Sequence, residues 1–76
     1  MIHAREDYQR IQDPDNKIPE DEPVFLIRGQ DKAAASTVRH YADILEAQGG
    51  APEMVQTCRA HADLIEEYPA KKLADM

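Results

Sequence analysis

Two stretches of the chain repeat apolar side chains at helical spacing, and a third run is apolar without it. Ala34, Val38, Tyr41, Ala42 and Leu45 fall on one stripe, with Ile44 at its border. Val55, Cys58, Ala62 and Ile65 form a second stripe, flanked by Met54, His61 and Leu64. Between them Gly49-Gly50 supplies a stop, because glycine takes the left-handed cap conformation without steric cost. Pro52 restarts the helix at a first-turn position where its missing N–H does no harm, and Glu53 suits the N-terminal dipole. Pro69 ends it. Two helices of about four turns joined by so short a loop predict an antiparallel hairpin. Asp31 is the expected N-cap of the first helix, with Ser36 in that role if the helix starts later.

Residues 24–28, Val-Phe-Leu-Ile-Arg, have the composition of a short strand. A lone strand leaves its backbone groups unpaired, and no second convincing strand is visible. The segment is therefore expected to pair with its counterpart in another subunit, or to lie extended across the helices. Gly29 then frees the backbone for a turn. Residues 1–22 read as an acidic arm, in which Pro14 and Pro19, with Pro23 just beyond, bias their predecessors away from helix. Asp13-Pro14-Asp15-Asn16 predicts a turn, and Tyr8 with Ile11 suggests one helical turn over residues 7–12. Such an arm is a partly disordered tail, or it packs on a neighbour or closes over a site. No internal repeat is expected. The expected division is an arm at 1–22 and a strand-plus-hairpin domain at 23–76.

Size sharpens this picture. Chains near 76 residues bury only about 60% of their unfolded surface, and one small core rarely supplies more than roughly 3–5 kcal/mol. Cys58 is the only cysteine, so no intramolecular disulfide helps. The expected fold class is mainly α, assembled as a homo-oligomer.

Charge narrows the function. The net charge of −6 argues against nucleic acid as a partner. Residues 1–22 hold seven acids and three bases, residues 23–51 three of each, and residues 52–76 five acids and three bases. An anionic ligand is therefore tolerated only in the middle. Arg5, Glu6 and Asp7 interrupt any early apolar segment, so no signal-peptide pattern is read, and no run is long enough to span a membrane. A cytoplasmic setting is expected.

No catalytic signature is present, and no enzyme, cofactor or metal is expected. Cys58 and His61 lie three apart, with His40 as a third candidate ligand, but structural zinc usually takes four Cys and His ligands. Cys58 sits on the apolar stripe and reads as a small core residue. Its pairing with either histidine resembles no nucleophile turn, and carboxylates such as Glu66-Glu67 are adjacent surface pairs. The stronger candidate is a ligand-binding turn. Arg28 offers a planar fork for phosphate and Lys32 a mobile charge. Phe25 offers a face for a base, and Gln30 and Asp31 can read amide or hydroxyl edges. An N-terminal anion site would add to these if Asp31 opens the helix. Arg39 joins them as a contribution from a neighbouring subunit. The competing reading pairs Arg28 and Lys32 with Asp31, Asp43 or the arm as ordinary surface ions.

The run Ile18-Pro19-Glu20-Asp21-Glu22-Pro23-Val24-Phe25-Leu26-Ile27-Arg28-Gly29-Gln30-Asp31 resembles short bacteriophage and prophage proteins with a P-x-D-E-P-V-F-L-L-R-x-Q-D stretch. The likeness continues through Thr37-Val38-Arg39, Gly49-Gly50 and Tyr68-Pro69-Ala70-Lys71-Lys72. Gly29 stands where alanine is common, and Ala35 where a proline often opens the helix. By size, acidity and helical hairpin alone, the chain is also similar in type to phage "sponges" that sequester cyclic nucleotide or cyclic ADP-ribose immune signals. The resemblance implies a viral protein of the host cytoplasm. The type analogy implies counter-defence by sequestering a nucleotide-type signal, with itself and that ligand as partners. The alternative is a protein–protein module that inhibits a host enzyme, or a virion accessory protein. A small transcriptional regulator is disfavoured by the acidic balance.

Overall fold

The computed structural model describes residues 1–6 and 11–75. Its elements are β1 (Ile2–His3), β2 (Pro23–Val24), α1 (Ala34–Ala47) and α2 (Pro52–Glu67). The chain is mainly helical, with α1 and α2 packed together and β1 and β2 forming a two-stranded parallel sheet.

The spacing of Ala34, Val38, Ala42 and Leu45, and of Val55, Cys58, Ala62 and Ile65, makes the two helices, and the loop between them follows from its glycines. Gly49 lies at φ +80°, and its N–H donates to Glu46 O at 3.0 Å. The Gly50 N–H reaches back to Leu45 O at 2.8 Å. This pair of bonds is a Schellman cap, which satisfies carbonyls that the last turn would leave open. A Cβ on Gly50 would stand 2.6 Å from Leu45 Cγ, so the second glycine is required by space rather than by φ. Pro52 opens α2 as expected, and Tyr68 leaves it in extended geometry at φ −64°, ψ 123°, the conformation favoured before Pro69.

The core sits along the seam. Ala34, Ala42, Val55, Cys58, Ala62 and Ile65 are buried, and Val38 and Leu45 pack partly against them. Cys58 is thus a core residue. Tyr41 and Ile44 do not join it; they remain 53% and 43% exposed. The buried face of α1 is narrower than its apolar stripe.

A twenty-residue repeat goes with this seam. Thr37, Arg39, Ala42, Asp43 and Glu46 recur as Thr57, Arg59, Ala62, Asp63 and Glu66, each twenty residues on. The two copies behave alike. Thr37 and Thr57 Oγ1 donate to the carbonyls of Ala33 and Glu53 at 2.7 and 2.8 Å. Ala42 and Ala62 are both fully buried where the helices meet. Arg39 grips Asp63 at 2.8 Å and Glu66 at 2.9 Å, while Arg59 grips Asp43 at 3.0 Å and Glu46 at 3.2 Å. Each arginine therefore holds the acids of the other copy. The helix pair has a pseudo-two-fold axis perpendicular to its plane, and both ionic clamps lie on one face. The expectation of no internal repeat is thus corrected: the same offset also relates Val38 to Cys58, Ile44 to Leu64 and Leu45 to Ile65.

The strand expectation needs correction. Only Pro23 and Val24 form a ladder, and they pair within the chain, Ile2 with Pro23 and His3 with Val24. The Ile2 N–H donates to Glu22 O at 2.7 Å. No second subunit is needed to satisfy this strand. The rest of the apolar run, residues 25–28, is irregular. The arm is correspondingly anchored at its start. Its expected turn is present: Asp13 Oδ1 and Oδ2 accept from the N–H groups of Lys17 and Ile18 at 3.0 and 2.8 Å. The expected helical turn involving Tyr8 lies largely outside the described residues.

Candidate ligand groove

The turn at residues 28–31 is closed by the Asp31 N–H donating to Arg28 O at 3.0 Å. Gly29 does not need a left-handed backbone here, and a Cβ on it would meet Tyr68 at an ordinary 3.7 Å. Alanine therefore fits this position. The C-terminal tail runs back alongside the turn. The Lys72 N–H donates to Gln30 O at 2.7 Å, and the Lys32 N–H to Lys72 O at 2.9 Å, making a parallel bridge between Asp31 and Lys72. Lys71 Nζ ties the same turn to α2, donating to Gly29 O at 2.8 Å and to Ile65 O.

These contacts shape a groove of about 230 Å³ between the turn, the tail and the N-terminal arm. Phe25, Arg28, Gln30 and Asp31 line it, together with Arg5, Lys72, Leu73 and Asp75. Phe25 is 75% exposed, so its ring face is open. A second groove of about 360 Å³ lies on the other side of the turn, between Arg28, Gly29 and Gln30 and the helix residues His61, Leu64 and Tyr68. Arg28 and Gln30 line both.

Four of the six residues expected from the sequence thus come together, and two do not. Lys32 is exposed and lines neither groove. Arg39 is committed to its clamp on Asp63 and Glu66, which uses the guanidinium fork. The hydrogen bonds of Glu66 first, and then of Asp63, drive its pKa further up. A bidentate pair of this kind leaves no fork for a ligand. Asp31 is not the N-cap: Ala33 occupies that position and makes no side-chain cap, and Ser36 lies inside the helix. Asp31 Oδ1 instead accepts from the Ala33 N–H at 2.8 Å. An anion approaching this helix end meets the Asp31 carboxylate first, so the expected N-terminal anion site is absent here.

The competing reading pairs Arg28 and Lys32 with Asp31, Asp43 or the arm, whose Asp7 lies outside the described residues. Among the described residues neither makes a salt bridge, whereas Arg39, Arg59, Lys17 and Lys72 all do. Lys72 holds Asp75 at 3.1 Å, and its hydrogen bond, then its charge, keep the Asp75 carboxyl below its usual range; the charge of Arg5 adds to this. The tail residues were the part of the site that turn-centred reasoning missed. Their one signal was Lys71-Lys72, the chain's only adjacent pair of bases.

Comparison with protein-family models, curated proteins and solved structures finds no match for this chain.

Proposed function

We propose that the protein binds a small nucleotide-type anion in the groove around Arg28. The observation that carries this reading is the free guanidinium of Arg28, unpaired among the described residues and close to an exposed phenyl ring. An arginine fork accepts phosphate oxygens bidentately, and an open aromatic face stacks a base for roughly 1–3 kcal/mol. Gln30, with donors and an acceptor in one side chain, supplies hydrogen bonds to a polar edge. Asp31 and Asp75 disfavour high negative charge, which suits a ligand with one or two phosphodiester charges better than a free triphosphate. No step of chemistry is required: the protein holds its ligand and removes it from circulation.

The sharper form is sequestration of a host immune signal, a cyclic nucleotide or cyclic ADP-ribose-type molecule, by a phage-encoded homo-oligomer. Its support is the resemblance of residues 18–31 to phage proteins and the analogy of size and type. Protein–protein inhibition is the second reading, favoured by Ile2, Phe25 and Leu73, all more than half exposed at or near this groove. Native mass spectrometry of protein purified from infected cells separates the two. Release of an intact small molecule on heating supports sequestration. A stoichiometric macromolecular partner with no released ligand contradicts it.

A further inference from the structure

On the face of the helix pair opposite the two arginine clamps, the turn at residues 28–30 borders His61, Leu64 and Tyr68 at one end, and the rest stays open among the described residues. Thr37, Tyr41 and Ile44 from α1 stand there beside their repeat equivalents Thr57, His61 and Leu64 from α2. Tyr41, Ile44 and Leu64 are 53%, 43% and 63% exposed. None of the six is an acid, a lysine or an arginine, in a chain of net charge −6. We propose that a second copy of this chain covers this face, two helix pairs stacking into a four-helix bundle.

Three observations select a second copy as the occupant. The first is area. The chain exposes 6172 Å², whereas a compact monomer of 8.6 kDa exposes roughly 4,700 Å². The excess, which the irregular arm and tail share, is larger than the roughly 800 Å² that each partner buries in a standard interface. Its radius of gyration, 13.7 Å, likewise exceeds the roughly 11.4 Å of a compact 76-residue domain. The second is charge. Two chains of −6 repel wherever their acids face, and this uncharged strip lets them approach without opposing carboxylates. The third is symmetry. The pseudo-two-fold axis runs through this face, so α1 and α2 offer matching surfaces, Ile44 with Leu64 and Tyr41 with His61. A dyad dimer needs a self-complementary patch, and the repeat supplies one in two orientations. His61, Leu64 and Tyr68 also wall the second groove beside Arg28. A copy seated here borders that groove.

Sedimentation equilibrium at micromolar concentration is the test, with Ile44→Glu, Leu64→Glu and the control Gln56→Glu. The control adds the same charge on the clamp side, where Gln56 lies beside Arg59 and Asp63. Wild type and Gln56→Glu are expected at twice 8.6 kDa or a multiple of that. Ile44→Glu and Leu64→Glu are expected to raise the dissociation constant at least tenfold. Hydroxyl-radical oxidation of wild-type Tyr41 and Leu64 serves if a variant fails to fold, and their protection should rise with protein concentration. A wild-type monomer, dissociation by Gln56→Glu equal to that of Leu64→Glu, or concentration-independent oxidation overturns the proposal. So does a dimer that both face variants leave intact.

Discussion

The ammonium of Lys71 holds the Gly29 carbonyl at 2.8 Å and donates also to Ile65 O. One cation thus caps the C-terminal turn of α2, where positive charge meets the negative end of the dipole, and fixes the turn that presents Arg28. Replacing Lys71 with Met keeps the stem and deletes both bonds. The expected loss is about 1 kcal/mol of stability in urea melts, with weaker ligand binding because Arg28 is held less firmly. Unchanged stability and binding would remove Lys71 from the account.

The Arg39 clamp is expected to respond to acid through Glu66. Hydrogen bonding to Arg39, followed by its charge, holds Glu66 below its ordinary value of 4.5. A carboxyl with a depressed folded-state pKa contributes stability that is present above its unfolded pKa and lost as pH falls through the folded one. Arg39→Ala is therefore expected to melt lower than wild type at pH near 7 and to converge with it well below pH 4.5. Added salt should narrow the gap, since the pairs are solvent-exposed. A difference that persists undiminished in acid would show that Arg39 acts through packing instead.

The three glycines separate by mechanism. Gly49→Ala forces alanine to φ +80°, at a cost of about 1 kcal/mol. Gly50→Ala drives a methyl to 2.6 Å from Leu45 Cγ and 3.0 Å from Leu45 O, and overpacking of that kind costs about 1–3 kcal/mol. Gly29→Ala has room and no φ penalty, so it should be neutral or slightly stabilising. Chemical denaturation of the three variants checks the order; a Gly29→Ala as damaging as Gly50→Ala would contradict the turn geometry.

Cys58, buried beside Ala42 and Val55, is expected to act only as filling. Cys58→Ala should cost about 1–2 kcal/mol and leave ligand affinity unchanged. Loss of binding at unchanged stability would revive a chemical role for the thiol.

How much of this was legible depends on the length scale of each signal. The helices were readable because Val38, Ala42 and Leu45, and Val55, Cys58, Ala62 and Ile65, repeat over several turns. Their shared stop was readable in Gly49-Gly50. The position of the first cap was not: Asp31 looks like an N-cap, yet it bonds Ala33 one turn early. The sheet was hidden because two residues at each strand carry no period, and their pairing spans about twenty residues of chain. Tyr41 and Ile44 were assigned to the core because stripe width is visible and the number of facing helices is not. Arg39 stands apart from the groove for a related reason. An arginine near a candidate site looks available until its partners Asp63 and Glu66 arrive from another helix. The twenty-residue repeat was present in the chain all along, but the apolar pairs Val38/Cys58, Ile44/Leu64 and Leu45/Ile65 keep their character and not their identity, which hides it. Of the site, Phe25, Arg28, Gln30 and Asp31 were readable as neighbours in sequence, whereas Lys72 and Asp75 reach the groove only through the folded tail.

The most direct measurement is calorimetric titration with cyclic dinucleotides and cyclic ADP-ribose isomers of wild type, Arg28→Ala and Lys32→Ala. Wild type should bind at least one of these ligands. Arg28→Ala should weaken that binding by about 1.5–3 kcal/mol, the scale of hydrogen bonds to a charged group. Lys32→Ala should change little, because its side chain lies outside both grooves. Equal binding by wild type and Arg28→Ala would contradict the site, and no binding of any of these ligands by wild type would contradict the proposed function itself.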